Sequence, residues 1–304
     1  MAAGFKNVRI LILGAKGQLG MSLTEKLNSN FEKELNYLAL SKEQLDIENA
    51  TDVETWINSY QPNFVINCAA WTNVVKAETE YESAKRINFG GVVNIAHAAA
   101  KFESKLIQIS TDYVFDGTHI APIAESELQN PINCYGKTKS DAEIFLTQEY
   151  PEISVIIRTA WLYGPYGSNF AKTIIGKALS GEKEKIQVVS DHLGQPTSTL
   201  DLASKILEMI ISNIDVGIYH GTNSGSISWY GFAKLLLESA GLGTERLIPI
   251  KSADVRHQVE RPIYSVLGHE MWGIHKMKPM RRWDEAVRDL ALRIRREVEQ
   301  VRGI

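Results

Sequence analysis

The sequence predicts an α/β fold, a doubly wound parallel sheet with a smaller, interleaved C-terminal lobe. Short apolar runs alternate with longer segments of helical spacing, and a glycine-rich turn follows the first apolar run. The chain of 304 residues is also longer than one ordinary core needs. Because strands that are apolar on both faces need helices on both sides, the alternation indicates a parallel sheet inside two helical layers.

The first half of the chain contains five predicted strands, each nearly continuous in Val, Ile and Leu. They lie at residues 8–13, 37–40, 64–67, 106–109 and 154–157. Predicted helices lie between them at 21–27, 53–59, 78–101 and 135–149, where apolar residues recur at helical spacing. This order is typical of repeated strand–helix–strand units with parallel strands.

The regular alternation of predicted strands and helices changes after Arg158. A Gly/Pro/aromatic loop at 161–167 precedes predicted helices at 169–179 and 201–211, and the segment 217–220 could return a strand to the main sheet. From Ser228 onward we expect mostly helix, ending in a helix over 283–302. We therefore predict one domain over 1–160, with a returning strand near 217–221, and a smaller lobe formed mainly by 161–304.

Composition excludes several classes of protein. Thirty-three Lys and Arg against 36 Asp and Glu leave a net charge of −3, whereas a nucleic-acid binder is usually strongly basic. Two cysteines cannot form a disulfide framework, and the seven histidines lack metal-ligand spacing, so we expect no metal. No apolar run is long enough to span a bilayer. We therefore expect a cytoplasmic protein with neither nucleic acid nor membrane as partner.

The glycine-rich turn indicates a dinucleotide site. Gly14, Gly17 and Gly20 follow the first predicted strand directly, at a spacing one step away from the G-x-G-x-x-G fingerprint of Rossmann-like folds. Glycines permit a tight turn and let the backbone approach a pyrophosphate at a helix N-terminus. A lone glycine triplet is weak evidence, and its place between the first strand and a helix strengthens it.

The end of the second strand bears on which dinucleotide binds. An NAD site usually places Asp or Glu there, whereas this strand ends in Leu40-Ser41-Lys42. Lys42, together with Lys16 in the turn, could accept a 2′-phosphate. We therefore expect NADPH, with NADH as the alternative, because both lysines could equally be solvated surface charges.

Tyr135 and Lys139 form a Tyr-x-x-x-Lys pair at the start of a predicted helix. Residues four apart share a helix face, so we expect the ammonium to lower the pKa of the phenol and make Tyr135 a general acid. The motif is short, and an exposed helix face would explain it equally well. Thr111, at the carboxyl end of the fourth strand, would face the same crevice and could hydrogen-bond the same carbonyl.

With these motifs in place, the chain resembles the extended short-chain dehydrogenase/reductases from Ile10 to about Trp283. The matching segments are the turn 14–20, Asn67-Cys68-Ala69-Ala70-Trp71-Thr72, the run 110–117 beginning Ser110-Thr111-Asp112, the run 133–139, Arg158-Thr159-Ala160-Trp161, Gly194-Gln195-Pro196-Thr197 and Arg261-Pro262. It departs from the usual family pattern at Val75, Phe89 and His192. These departures bear on which substrate binds more than on the type of reaction.

The resemblance implies a role for each matching residue. Residues expected at the cofactor are Gly14, Gly17, Gln18 and Leu19 at the pyrophosphate, Asp46 and Ile47 at the adenine, and Ala69, Ala70 and Trp71 along the nucleotide. Tyr135 would donate the proton, and Lys139 would anchor the nicotinamide ribose. Thr111, Asp112 and Trp161 would contact the sugar.

Three of these assignments have plain structural alternatives. Asp46 could be a helix N-cap, and Trp161 could simply pack the two lobes together. Arg261, with Arg256, offers cations for a nucleotide diphosphate, although surface charge before a proline turn explains them as well.

The resemblance implies reduction of the C4 ketone of a nucleotide-linked 4-keto-6-deoxy sugar, with dTDP-4-dehydro-L-rhamnose as the best single substrate. The second lobe would then bind the nucleotide sugar. A homodimer is a possible assembly of the chain. Alternatives are a sibling 4-ketoreductase or an epimerase or dehydratase acting on another dTDP or UDP sugar. A non-catalytic, NADP-binding regulatory subunit is the alternative from another class.

Overall fold

The computed structural model describes residues 8–29, 35–180, 184–255 and 259–303. Its centre is a six-stranded sheet in which every pairing is parallel. The strands are β1 (Val8–Leu13), β2 (Leu35–Leu40), β3 (Phe64–Asn67), β4 (Lys105–Thr111), β5 (Ser154–Thr159) and β10 (Gly217–His220). Their spatial order is β2-β1-β3-β4-β5-β10, so the strand order reverses between β1 and β3. In doubly wound folds the ligand crevice lies at this reversal.

Helices cover both faces of the sheet, as the apolar runs predict. Because successive side chains of a strand point to opposite faces, Ile10 and Ile12 pack in one cluster and Leu11 and Leu13 in another. Helices α1 (Gln18–Asn28) and α8 (Thr199–Ile211) cover the first face. Helices α2 (Ala50–Tyr60), α5 (Gly91–Lys101) and α6 (Cys134–Glu149) cover the second.

The long helix predicted over 78–101 is interrupted. The structure has α3 (Val74–Thr79), α4 (Tyr81–Lys85), a π-helical turn (Arg86–Gly90) and then α5. A side chain at Gly91 would lie 2.5 Å from the end of the Ile47 side chain, so the helix packs closely against the loop after β2 at this glycine. Single π-helical turns are frequent at functional sites.

The second lobe has a core of its own. Helices α7 (Phe170–Leu179), α9 (Trp229–Ser239) and α11 (Trp283–Arg302) enclose it. Six short strands and one short helix lie in the same half of the chain: β6 (Leu162–Tyr163), β7 (Ile186–Val189), β8 (Leu193–Gly194), β9 (Thr197–Ser198), β11 (Ile227–Ser228), β12 (Leu247–Ile250) and α10 (Glu270–Ile274). The expectation of mostly helix after Ser228 is therefore wrong between α9 and α11, where β12 pairs with β7.

The two halves of the chain are interleaved. Strand β10 pairs with β5 at the edge of the central sheet, and α8 packs beside α1. The predicted boundary near residue 160 stays a prediction. Among the described residues, no helix combines the length and apolar character needed to cross a membrane.

A buried ion pair ties β5 to α6. Two nitrogens of Arg158 lie 3.0 and 2.8 Å from one carboxylate oxygen of Glu143, and both side chains are 1% exposed. Ser110 and Gln129 also donate to this carboxylate, and Arg158 donates to the Glu125 carbonyl at 3.2 Å. Such a pair is retained only when further hydrogen bonds satisfy both ions, as they do here.

Removing one partner of this pair is expected to destabilise the chain strongly. Arg158→Met leaves Glu143 buried and uncompensated, so we expect the free energy of unfolding in urea to fall by about 3–5 kcal/mol. The matched control is Arg288→Met, which removes an exposed guanidinium paired with half-buried Asp284, leaves Asp284 its bond from Arg282, and should cost less than about 1 kcal/mol. A loss below about 1 kcal/mol for Arg158→Met would contradict the prediction.

Candidate active site

The glycine-rich turn lies at the reversal of strand order. Gly14 follows β1 with φ +78°, and a side chain there would lie 2.6 Å from the amide nitrogen of Ala69, which follows β3. Only glycine therefore allows the two loops to meet. Helix α1 starts after Gly17 with no side-chain cap and no acidic residue in its first turn. The first N–H groups of the helix are thus left without a side-chain partner, which suits a pyrophosphate.

Two adjoining cavities open on this turn. One, of about 570 Å³, contains the catalytic candidates, and the other, of about 520 Å³, contains the residues after β2. The residues that line both are Gly17, Cys68, Ala69, Ala70 and Thr72. The first is also lined by Gln18 and Leu19, and the second by Gly14, Lys42, Asp46, Ile47 and Trp71. An elongated ligand could therefore run past the turn from one cavity to the other.

The cations expected at a 2′-phosphate are already paired. Lys16 lies 3.0 Å from Glu43, and Lys42 lies 3.6 Å from Asp46. Ser41 is buried, is not among the lining residues, and donates its hydroxyl to Glu43.

The alternative role of Asp46 as the cap of α2 is wrong. Asn49 caps α2, accepting from the amide of Asp52. Asp46 lines the second cavity and accepts from the amide of Glu48 at 3.1 Å.

Tyr135 and Lys139 both line the first cavity, one turn apart on α6. Lys139 is buried and donates to the Ile109 carbonyl at 2.7 Å, and burial lowers the pKa of its ammonium to about 8. Burial raises the pKa of Tyr135 well above its ordinary value, against the effect of a hydrogen bond with Thr111. The expected lowering of the Tyr135 pKa by Lys139 is thus wrong for this structure, because desolvation of the phenol dominates.

Helix α6 approaches the end of β4 because of one glycine. A side chain at Gly136 would lie 2.1 Å from the Tyr113 carbonyl, so no other residue fits there. Asn133 caps the helix by accepting from the Gly136 amide at 2.8 Å. The Tyr113 and Tyr135 rings consequently meet edge to face, with centroids 5.7 Å apart.

Thr111 ends β4, Asp112 follows it directly, and both line the first cavity. The Thr111 hydroxyl donates to Asp112 Oδ1 at 3.1 Å, and burial raises the pKa of Asp112 to about 6. Arg261 is exposed and is not among the residues that line either cavity, although its charge acts on half-buried Tyr113. Arg256 lies outside the described residues.

Trp161 lines the first cavity in a strained conformation. Its φ is +46°, and its indole stacks on that of Trp229 with centroids 3.6 Å apart. A side chain at Gly194 would lie 2.4 Å from the same indole, so Trp161 is held between the two. The predicted contact with sugar and the alternative of packing between lobes are therefore compatible, because Trp161 packs against the core of the second lobe and also lines the cavity; the contact with sugar stays a prediction.

Trp229 and Asn88 are among the residues at this site that were not predicted. Trp229, the first residue of α9, lines the cavity, and nothing in its local sequence indicates this. Asn88 lies in the π-helical turn, where its side chain bonds the backbone of Trp71 and the hydroxyl of Thr138. A buried amide inside a predicted helix is the only signal that could have identified it.

The arrangement can protonate a carbonyl oxygen. A neutral phenol and a hydroxyl face one cavity, and a buried amine lies one turn behind the phenol. The cavity is continuous with a turn suited to a pyrophosphate.

Comparison with known proteins agrees with this geometry. Residues 8–296 match the family model described as RmlD substrate binding domain. The dTDP-4-keto-6-deoxy-D-glucose reductase of Streptomyces niveus is 36% identical over 279 residues, which are 92% of this chain and 95% of that protein. The dTDP-4-dehydrorhamnose reductase of Aggregatibacter actinomycetemcomitans is 41% identical over 237 residues, 76% of this chain and 79% of that protein.

Solved structures show the same likeness. A dTDP-4-dehydrorhamnose reductase of Bacillus anthracis, in complex with NADP, superposes with a TM-score of 0.87 at 36% identity, covering 93% of this chain and 98% of that one. The NAD complex of Thermus thermophilus UDP-glucose 4-epimerase has a TM-score of 0.79 at 18% identity, and the superposition covers 95% of this chain and 99% of that one. This structure therefore shares the fold. The chain therefore belongs to the RmlD substrate binding domain family, in agreement with the resemblance that its motifs carry.

Proposed function

We propose that this chain reduces the C4 ketone of a dTDP-linked 4-keto-6-deoxy sugar with NADPH. The best single reaction is dTDP-4-dehydro-L-rhamnose to dTDP-L-rhamnose. The observation that carries the proposal is the shared cavity of Thr111, Tyr135 and Lys139, which opens on the glycine-rich turn. The relatives named as reductases, and the NADP bound to one of them, support it.

The cofactor would lie along the two cavities. Gly14, Gly17, Gln18 and Leu19 would hold its pyrophosphate, Asp46 and Ile47 its adenine, and Ala69, Ala70 and Trp71 the nucleotide between. When bound, NADPH supplies the hydride that adds to C4. Lys139 uses one of its three N–H donors on Ile109, which leaves two for the nicotinamide ribose.

Tyr135 would supply the proton. Its raised pKa keeps the phenol protonated at neutral pH, as an acid must be before it donates. The phenolic proton passes to the C4 oxygen, so ketone, hydride and proton together give the alcohol. Thr111 orients the phenol and the carbonyl by hydrogen bonds, and Lys139 can stabilise the phenolate left behind.

Asp112 and Trp161 would contact the sugar. Asp112 can accept from a sugar hydroxyl once it is ionised, and its negative charge further raises the pKa of nearby Tyr135. Trp161 and Trp229 offer an apolar wall on the side of the second lobe. Arg261 would need to move to reach a diphosphate, so its role stays a prediction.

Two properties of the whole molecule also stay predictions of the sequence. They are a cytoplasmic location and assembly into a homodimer. Light scattering of the purified protein in solution would measure its mass and test the assembly.

Replacing the proposed acid tests the function directly. Purified chain, NADPH and dTDP-4-keto sugar are mixed, and NADPH consumption is followed by absorbance. Because a positioned general acid contributes about 10²–10⁴-fold, Tyr135→Phe should lower kcat by at least about 100-fold. Tyr37→Phe, which removes an exposed hydroxyl bonded to Asn28, should leave kcat unchanged.

Three outcomes would contradict parts of this proposal. No NADPH consumption by the wild type would refute the reductase and favour the regulatory subunit. Sugar conversion without net NADPH oxidation would indicate an epimerase or dehydratase, which returns its hydride. A Tyr135→Phe variant as fast as wild type would exclude Tyr135 as the acid.

The buried charge of Asp112 predicts a pH-dependent stability. Burial raises its pKa from 3.8 in a free chain to about 6, so the folded chain loses stability as pH rises through 6. Asp112→Asn removes this loss. The unfolding free energy of the variant minus that of the wild type, measured in urea without ligand, should therefore increase by about 2–3 kcal/mol from pH 4 to pH 8. A difference that stays flat over that range would refute the assignment.

A further inference from the structure

An acidic residue lies where the end of β2 meets the glycine-rich turn. The Ser41 hydroxyl donates to Glu43 Oε2 at 2.6 Å, and Lys16 Nζ donates to the same oxygen at 3.0 Å. Lys16 belongs to the turn after β1, and Ser41 follows β2 directly. Both Lys16 and Glu43 line the cavity at the expected adenosine end of the cofactor.

The backbone holds these groups together. The amides of Gly14 and Ala15 both donate to the Leu40 carbonyl at 3.0 Å, which joins the glycine-rich turn to the end of β2. The amides of Gln44 and Leu45 donate to the Ser41 carbonyl, which folds residues 41–45 back on themselves. Glu43 is thereby turned toward Lys16 and the cavity.

The chemistry of this cluster is that of an anion site. The Lys16 ammonium and the Ser41 hydroxyl both donate to one oxygen of Glu43. A phosphate oxygen accepts from donors of the same kind. The nearby Lys42 has its charge offset by Asp46. The hydrogen bond from Ser41, and then that from Lys16, lowers the pKa of Glu43 to about 2, so the carboxylate carries its charge near neutral pH.

Resting on the proposed reductase function, we infer that Glu43 occupies the place of the NADPH 2′-phosphate and sets the preference between NADPH and NADH. For NADPH, the 2′-phosphate takes over the bonds of Lys16 and Ser41, and Glu43 swings out toward solvent. For NADH, Glu43 stays in place and accepts a hydrogen bond from the ribose 2′-hydroxyl. The Glu43 carboxylate therefore weakens the binding of NADPH and strengthens the binding of NADH.

The exposure of the pair makes this exchange feasible. The side chains of Lys16 and Glu43 are 74% and 69% exposed, and an exposed ion pair contributes little stability. Displacing Glu43 thus costs little at either exposed side chain, whereas the buried Ser41 hydroxyl loses its partner and needs the 2′-phosphate as its new acceptor. Repulsion between the carboxylate and a 2′-phosphate nevertheless acts against NADPH over a few ångströms, and salt screens it.

The test uses nucleotide fragments, so that binding is read without turnover. Dissociation constants of 2′,5′-ADP and 5′-ADP are measured by calorimetry for the wild type and for Glu43→Gln. The ratio of the two constants should shift about tenfold toward 2′,5′-ADP in the variant, because a like charge is removed. The shift should shrink when ionic strength rises from about 50 to about 500 mM.

Two further variants complete the design. Glu54→Gln removes a similarly exposed carboxylate, paired with Lys101 on a surface away from both cavities, and should leave the ratio unchanged. Lys16→Gln removes the donor that phosphate and carboxylate share, and should shift the ratio toward 5′-ADP.

The outcomes separate this inference from the proposed function. An unchanged ratio in Glu43→Gln, with a wild type that oxidises NADPH with the sugar, would overturn the role of Glu43 alone. The predicted shift without any turnover would support Glu43 and leave the reductase refuted. A wild type that binds neither fragment and does not oxidise NADPH with the sugar would overturn both.

Discussion

The buried pair of Arg158 and Glu143 is the constraint on which the catalytic geometry depends. Glu143 lies on α6 one turn after Lys139, and its carboxylate also accepts from Ser110, the neighbour of Thr111. Arg158 comes from β5, and its guanidinium lies over the ring of Phe115 in the segment after β4. Two strands and the helix of Tyr135 are thus joined through one buried carboxylate. A shift of α6 or β5 would leave a charge unpaired in the core, and a shift of β4 would remove the Ser110 bond to the same carboxylate. These penalties hold the active groups in register.

Close backbone contacts complete the frame, each at a glycine. Gly14 lets the turn after β1 meet the loop after β3, and Gly136 lets α6 reach the end of β4. Gly194 lets the second lobe press against Trp161. Gly14 and Trp161 line the cavities themselves, so these contacts fix part of the cavity walls in place.

The two ends of the cleft differ in their electrostatics. At the Tyr135 end, burial raises the pKa of the phenol and lowers that of Lys139, so the neutral forms of both groups are favoured. At the Glu43 end, the charges are exposed and paired, and they can exchange partners at little cost. The proposed proton transfer therefore lies at the buried end of the cleft, and the proposed recognition of the nucleotide lies at the exposed end.

The sequence alone determined the features that depend on local periodicity and local chemistry. Apolar runs predicted five strands of the sheet, the glycine-rich turn predicted the crevice, and the spacing of Tyr135 and Lys139 placed them on one helix face. The tertiary structure alone decided what depends on distant neighbours. It broke the helix at Arg86–Gly90, brought Trp229 onto Trp161, paired Lys16 with Glu43, and raised the pKa of Tyr135. Spacing along the chain does not report desolvation or contacts between distant segments, because both arise only when the elements pack together.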